Sequence, residues 1–252
     1  MRSTISRNFS LRERQLSAVE ALLRWSHPQR GALLPDAFIP VAEASGLIIP
    51  LGAWVLEQAC RQASEWQLAG LPDLTLAVNM SLSQCRRGEL VDAVERSADR
   101  CHFDLRRLEL EVTEQIFLPQ ENTTCTEVLR RLRRLGVTVS IDDFGTGYSS
   151  FSRLRDLPID KLKIDRSFVA GLGCDREAEL IVRAMIVLGH SLGLQVVAEG
   201  VENKSQLDFL EAEDCDGVQG LHLAPPMPAS EFPRLLTLQH TTAWTGRARR
   251  TL

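Results

Sequence analysis

Two adjacent acids, Asp142 and Asp143, are the residues of this sequence best suited to chemistry, because they end an apolar run and precede a glycine-rich turn. Val137, Val139 and Ile141 alternate with small polar residues, which predicts a strand that ends at the two acids. Neighbouring carboxylates repel unless a cation lies between them, and hard divalent cations prefer oxygen ligands. The pair therefore indicates a cation site, and a helix N-cap is the alternative interpretation.

Successive strand residues point to opposite faces, so only one of these acids should face the interior unless the strand bends there. Polar residues also lie near the ends of six other predicted strands. In a parallel barrel the carboxyl ends of the strands meet at one mouth. The residues expected there are Glu20, Asn79, Glu111, Asp142 or Asp143, Lys163, Glu199 and Gln219. Such a set suits two divalent cations that activate water against a phosphodiester, although any single member is also compatible with a structural salt bridge.

The elements that position these residues alternate between strand and helix. Strands are predicted at residues 18–25, 74–81, 108–114, 137–143, 161–165, 195–199 and 217–223. Helices are predicted at about residues 35–46, 51–69, 88–101, 123–135, 150–157, 176–192, 204–212 and 230–238. This alternation predicts an α/β fold with a closed (β/α)8 TIM-like barrel. No GxGxxG turn opens a helix, which weakens a dinucleotide fold.

The ends of the chain depart from this pattern. We expect the barrel to occupy residues 17–238, with an atypical N-terminal segment at 1–16 and a polar basic tail at 239–252. The N-terminal segment contains no convincing eighth strand, so the first strand is expected to be atypical or missing. Trp54 and Trp66 recur at helical spacing and are predicted to be core residues.

Composition limits the possible functions. The chain has 252 residues, 44% hydrophobic and 25% charged, with a formal net charge of −4, which argues against bulk nucleic acid as the main partner. Its six cysteines form no CxxC pair, so free thiols in a reducing cytoplasm are expected. No apolar run is long enough to predict a membrane segment in this chain.

Seven motifs resemble the EAL-domain cyclic di-GMP phosphodiesterase family. In the family's order they are EALLRWSHP from Glu20, Asn79-Met80-Ser81, Glu111-Val112-Thr113-Glu114, DDFGTGYSS from Asp142, LPIDKLKIDRSFV from Leu157, VVAEGVE from Val196, and Gln219-Gly220. The resemblance implies a barrel whose first strand is antiparallel, and hydrolysis of cyclic di-GMP to linear pGpG with two Mg²⁺ or Mn²⁺ ions. The Tyr-Gln-Pro that usually opens the family's first strand is absent from residues 1–16.

The resemblance also implies a role for each matching residue. One ion would be held by Glu20, Asn79, Glu111 and Asp142, and the second by Asp142, Asp143 and Glu199. Lys163 would contact the attacking water, and Glu202 together with Glu199 would belong to the catalytic group. Leu22, Arg24 and Gln219 would contact the substrate at the mouth, Arg24 through a phosphate. Glu114 would anchor the DDFGTG loop, and Asp165 also matches the family pattern.

Further implied partners are cyclic di-GMP itself and a second copy of the chain, in a homodimer formed near the DDFGTG loop. The chain would be cytoplasmic, and membership in a larger sensor protein is compatible with the motifs. Two alternatives stay open. A non-catalytic cyclic di-GMP receptor is motivated by the missing first strand, and a metal-dependent barrel enzyme with another substrate is motivated by the wide use of the fold.

Overall fold

Strands and helices alternate along the chain in the computed structural model, which describes residues 2–86, 89–117, 122–147 and 151–239. The strands are β1 (Arg2–Ser10), β2 (Gln15–His27), β3 (Gly31–Leu33), β4 (Thr75–Met80), β5 (Leu108–Thr113), β6 (Thr138–Phe144), β7 (Lys161–Ile164), β8 (Gln195–Ala198), β9 (Gly217–Gln219) and β10 (Met227–Pro228). The helices are α1 (Ile39–Ala44), α2 (Ile48–Leu68), α3 (Leu82–Arg86), α4 (Leu90–Cys101), α5 (Asn122–Arg134), α6 (Phe151–Asp156), α7 (Arg166–Val169), α8 (Arg176–Ser191), α9 (Lys204–Ala212) and α10 (Phe232–Gln239).

Eight of the strands close into a barrel. The order around the barrel is β1, β2, β4, β5, β6, β7, β8 and β9, and β1 also pairs with β9 to complete the ring. The seven other strands of the ring run parallel to one another, whereas β1 is antiparallel to both β2 and β9. The short strands β3 and β10 extend β2 and β1 outside the ring. The predicted (β/α)8 barrel is confirmed, with the antiparallel first strand that the family resemblance implied.

The expectation of a missing first strand was wrong. Residues 2–10 form β1, which pairs with β2 along its whole length. The inner face of β1 is polar and carries Ser6, and its outer face has Arg7 between the apolar Ile5 and Phe9. The outer face therefore lacks the regular alternation of apolar residues by which strands are recognised. The barrel therefore begins at β1.

Apolar residues cover the outer wall of the barrel, where it contacts the helices. In β5, Leu108, Leu110 and Val112 are almost completely buried, while Glu109 and Glu111 alternate with them and face the lumen. Alternation along a strand sends successive side chains to opposite faces, so one face packs and the other is left for polar groups. The outer face of β5 thus packs against the helices while its inner face supplies acids to the lumen.

Several predicted details differ from the structure. The helix predicted at 35–46 is a 3-10 turn at Pro35–Ala37 followed by α1, and the last strand ends at Gln219 rather than continuing to residue 223. Trp66 is a core residue that packs on the ring of Phe232, but Trp54 is 41% exposed, so its prediction was wrong. Trp54 lies on the side of α2 opposite to the buried face. The predicted tail lies almost entirely outside the described residues.

A stability measurement tests the closure of the barrel by β1. Ile5 is 2% exposed and lies opposite Ala21 of β2. We expect Ile5→Ala to lower the free energy of unfolding by about 2–5 kcal/mol in urea titrations, because it leaves a cavity in the core. Val41→Ala, at a position that is 66% exposed, is the matched control and should change it by less than about 0.5 kcal/mol. Equal, small effects of both variants would contradict a packed β1.

No helix in the described part of the chain is long and apolar enough to cross a membrane.

Candidate active site

A bulge at the end of β6 brings both adjacent acids to the mouth of the barrel. The pairing of β6 with β7 shifts between Ile141 and Phe144, and Asp143 has a left-handed backbone with φ of 53°. The bulge removes the strict alternation that would send the two side chains to opposite faces. Carboxylate oxygens of Asp142, Asp143 and Glu199 consequently lie within 4.8 Å of one another. The sequence predicted that only one acid would face the interior unless the strand bends there, and the strand does bend at this point.

The glycine after this bulge is required by its surroundings. Gly145 has φ of +100°, and a Cβ at this position would lie 2.6 Å from side-chain atoms of Phe168 and Met185. Glycine alone tolerates both the conformation and the close approach. Two positions further on, the backbone N–H of Gly147 donates to Glu114 Oε2 over 2.7 Å. The start of the loop is thus packed against α7 and α8 and is tied to the end of β5.

Lys163 lies at the centre of three carboxylates. Its Nζ is 2.5 Å from Glu111 Oε1, 2.6 Å from Glu199 Oε1 and 3.1 Å from Asp142 Oδ1, and the residue is 1% exposed. Burial alone would lower the pKa of Lys163, but the three carboxylates outweigh burial and raise that pKa well above its ordinary value. Lys163 is therefore a permanent positive charge at this site.

Glu20 is held by amides from two other strands. Asn79 Nδ2 donates to Glu20 Oε1 and Gln219 Nε2 donates to Glu20 Oε2, each over 2.8 Å. Burial opposes ionisation of Glu20, but the charge of Lys163 and the two amide hydrogen bonds outweigh burial and lower the pKa of Glu20. This carboxylate is ionised and fixed in orientation.

Three further acids of the site, Glu111, Asp143 and Glu199, retain protons more strongly than usual. Burial and then neighbouring acids raise the pKa of Glu199 to about 7 and that of Asp143 to about 6, and burial raises the pKa of Glu111 as well. Asp165, which caps α7, contributes to the shift of Asp143. The first physical cause is burial, which opposes ionisation, and the second is an excess of negative charge, since one lysine faces several carboxylates.

This excess distinguishes the site from an ordinary buried salt bridge. One layer further down the lumen, Lys161 Nζ lies 2.5 Å from Glu109 Oε2, which is one cation for one acid. At the mouth, a single lysine faces the five acids Glu20, Glu111, Asp142, Asp143 and Glu199. When all are ionised, four negative charges remain, which is the charge that two divalent cations neutralise.

The donor atoms also fit hard divalent cations. They are carboxylate oxygens together with the amide of Asn79, and oxygen ligands of this kind suit Mg²⁺ and Mn²⁺. Glu111 Oε1 and Asp142 Oδ1 face Lys163 Nζ, whereas Glu111 Oε2 is buried and has no hydrogen-bond or ion-pair partner among the described residues. Buried acceptors normally have partners, so Glu111 Oε2 has the property expected of a metal ligand.

The remaining predicted residues lie outside this cluster or at its edge. Leu22 and Arg24 follow Glu20 along β2, and Arg24 Nη1 donates to the Leu23 carbonyl. Glu202 is exposed, and its side chain forms no hydrogen bond or ion pair with the part of the chain that the structure describes. Its backbone N–H donates to Gln206 Oε1 in the cap of α9. The roles predicted for these residues stay predictions.

One contributor to the site was not predicted. Ser6 of β1 accepts a 2.7 Å hydrogen bond from Gln219 Nε2, the amide that also holds Glu20. Only recognition of β1 as a strand would have pointed to Ser6, since its register places it opposite Glu20.

Comparison with known proteins places this site in a family. Residues 8–226 match the model of the EAL domain. The chain is 45% identical over 214 residues to the bifunctional diguanylate cyclase/cyclic di-GMP phosphodiesterase MucR of Pseudomonas aeruginosa, covering 85% of this chain and 31% of that protein. It is 44% identical over 227 residues to the cyclic di-GMP phosphodiesterase NbdA of the same species, covering 90% of this chain and 29% of NbdA. The chain thus spans less than a third of the length of these curated relatives.

Solved structures agree with this comparison. The PaMucR phosphodiesterase in complex with c-di-GMP superimposes with a TM-score of 0.85 at 42% identity, over 91% of this chain and 93% of that chain. The EAL enzyme Bd1971, with cAMP and cyclic di-GMP bound, gives a TM-score of 0.87 at 30% identity, over 93% of this chain and 64% of that chain. Sequence and fold lead to the same conclusion, and the chain belongs to the EAL domain family.

Proposed function

We propose that this chain hydrolyses cyclic di-GMP to linear pGpG, using water activated by two Mg²⁺ or Mn²⁺ ions. The observation that supports this most strongly is the group of Asp142, Asp143 and Glu199 around a buried lysine at the mouth of the barrel. Relatives named as cyclic di-GMP phosphodiesterases are 44–45% identical to this chain over 214–227 aligned residues. A complete set of acids favours an enzyme over a non-catalytic receptor.

The ligands divide into two groups. Glu20, Asn79, Glu111 and Asp142 would hold one ion, and Asp142, Asp143 and Glu199 would hold the other. When bound, the ions lower the pKa of water and neutralise negative charge that develops on the phosphate. Asp142 lies between the two groups, because its carboxylate is close both to Lys163, which also contacts Glu111, and to Asp143. It is therefore assigned as the shared ligand.

Lys163 acts by charge and not as a base. Because its pKa is raised, it stays protonated at neutral pH and has no lone pair with which to accept a proton. An ammonium group at this position would donate to the attacking oxygen and favour its deprotonated form. Glu199 contacts Lys163, and Glu202 is assigned to the same group through the family motif.

Substrate contacts are assigned to the rim of the mouth. Glu20, Leu22 and Arg24 alternate along β2, so Leu22 and Arg24 extend the face that carries the site towards its opening. The guanidinium of Arg24 would bind a phosphate oxygen of the substrate. Gln219, which lies on β9 two strands away from β2, would contact the substrate on the same side of the mouth.

The loop after β6 would connect the site to a second copy of the chain. Glu114 accepts from Gly147 and would anchor this loop. Next to it, α8 exposes Leu180, Ile181 and Val187, an apolar surface suited to a homodimer interface. Light scattering should report a dimer for the parent chain and a monomer for Leu180→Glu. A monomeric parent chain at micromolar concentration would contradict the homodimer.

The chain is proposed to act in a reducing cytoplasm, as the barrel module, residues 17–238 together with β1, of a larger sensor protein.

Product analysis tests the proposed reaction. The purified chain is incubated with cyclic di-GMP and Mn²⁺ or Mg²⁺, and the products are separated by chromatography, while calorimetry records binding of nucleotide and cation. We expect pGpG to appear. Binding of cyclic di-GMP without pGpG would favour the receptor alternative, and efficient cleavage of other phosphodiesters in a competition panel would favour the broader enzyme.

The raised pKa values predict how pH acts on stability. Glu199, with a pKa of about 7, and Asp143, with a pKa of about 6, bind more protons in the folded than in the unfolded chain. Their contribution to stability is therefore lost as pH rises from about 4, the pKa range of the unfolded chain, to about 7. Bound Mn²⁺ should stabilise the fold more at the upper end of this range, because Glu199 and Asp143 are then already ionised and Mn²⁺ has no protons to displace from them.

Thermal unfolding with and without Mn²⁺ checks this prediction. Glu199→Gln should flatten the pH dependence of Tm in the absence of cations, whereas Glu65→Gln on the exposed side of α2 should not. A stabilisation by Mn²⁺ that is the same at both ends of the pH range would contradict the proposed link between protons and cations.

A further inference from the structure

Side chains from three other strands fix the Glu20 carboxylate. Asn79 of β4 and Gln219 of β9 donate to it directly, and Ser6 of β1 accepts from Gln219. We propose that Ser6 is a positioning residue, which orients Glu20 as a cation ligand by fixing the side-chain amide of Gln219. This inference rests on the proposed function, since it concerns the same cation site. It assigns a part in that site to β1, where this chain lacks the family's usual Tyr-Gln-Pro.

The register of the strands brings the three residues together. Ser6 lies opposite Glu20 in the pairing of β1 with β2, and Asn8 lies opposite Gln219 in the pairing of β1 with β9. Ser6 is 5% exposed and Glu20 is 6% exposed, so water does not compete freely for their polar atoms. β1 is the strand that closes the barrel, and it also joins the two strands that supply Glu20 and Gln219.

Hydrogen-bond chemistry fixes the direction of this contact. An ionised carboxylate only accepts, so the nitrogen of the Gln219 amide must face Glu20. The same Nε2 donates its second N–H to Ser6 Oγ over 2.7 Å, while the first reaches Glu20 Oε2 over 2.8 Å. With both N–H groups engaged, the amide has one favourable orientation. Without the Ser6 hydroxyl, one N–H would lose its acceptor in a buried place.

Ser6 would affect cation binding through Glu20, which is one of the proposed cation ligands. Asn79 holds the other oxygen of this carboxylate, so each oxygen has one donor that sets its position. Groups that orient a metal ligand typically change metal affinity by about 10–100-fold when they are removed. Loss of Ser6 is therefore expected to weaken cation binding while the barrel remains folded.

Cation binding by calorimetry, without substrate, tests this role. We expect Ser6→Ala to raise the Kd for Mn²⁺ by about tenfold or more. Ser6→Thr keeps the hydroxyl and should restore most of the affinity. Ser17→Ala is the matched control, because the Ser17 hydroxyl also joins β2 to β1, through the Asn8 carbonyl, but does not touch Gln219. Circular dichroism of each variant confirms that it is folded.

A double-mutant cycle separates action through Gln219 from a general loss of packing. In the Gln219→Ala background, Ser6→Ala should cause almost no further loss of Mn²⁺ affinity. Additive losses, or an unchanged Kd in Ser6→Ala, would overturn the positioning role. Absence of Mn²⁺ binding by the parent chain would instead overturn the proposed function, and the inference with it.

Discussion

Asp142→Asn is expected to lower turnover of cyclic di-GMP by at least about 10²–10³-fold, because the substitution neutralises the ligand shared by both proposed cations. The side chain keeps its size, so packing at the end of β6 should be preserved. Asp142 lies 3.1 Å from Lys163 and within 4.8 Å of Asp143 and Glu199, so both ion positions would lose negative charge at once. Turnover and Mn²⁺ binding should fall together.

Activity and calorimetric titration of the variant check this prediction against Asp156→Asn. Asp156 is exposed and pairs only with its neighbour Arg155 among the described residues, so its loss should leave both quantities unchanged. Parent-like turnover in Asp142→Asn would remove Asp142 from the metal centre. Lost turnover with unchanged binding of two ions would contradict its bridging position.

Lys163→Met is expected to have the second large effect, which is a loss of turnover without a loss of Mn²⁺ affinity. Turnover should fall by about 10²–10³-fold, since the positive charge beside the attacking oxygen is lost. Mn²⁺ affinity should be retained or increased, because the ammonium group no longer competes with the ions for Glu111 and Glu199. A variant that merely unfolds would lose both properties.

The same substitution should destabilise the cation-free protein. Removing one partner of a buried ion pair typically costs about 3–5 kcal/mol, because the other charges stay buried and uncompensated. Added Mn²⁺ should restore much of this stability. Lys204→Met removes an exposed pair with Asp208 and is the matched control for urea titrations. Unchanged turnover in Lys163→Met would remove the proposed role of the lysine.

Much of the site was predictable because the strands that carry it have strong patterns. Glu111 and Lys163 lie in runs whose outward positions are apolar, so their inward direction followed from alternation along the strand. The rule that strand ends of a barrel converge then brought them to one mouth. The inward direction of these side chains could therefore be predicted from each strand alone, without knowledge of distant residues.

Other features depended on the tertiary structure. In β1 the outer face carries Arg7 between Ile5 and Phe9, so its sequence lacks the periodicity of a strand, and only its pairing with β2 and β9 reveals it. The contact between Ser6 and Gln219 joins residues that are 213 positions apart. The bulge at Asp143 requires a left-handed residue that local propensity disfavours, and the packing of Phe144 and Gly145, which follow it, supports it.

Titration of the chain with Mn²⁺ in the presence of cyclic di-GMP tests the central claim most directly, if bound Mn²⁺ per chain and the rate of pGpG formation are recorded together. Two divalent cations that share Asp142 predict that pGpG formation remains low with one ion bound and rises as the second ion binds. Full turnover with a single bound ion, or no pGpG with two ions bound, would contradict the account.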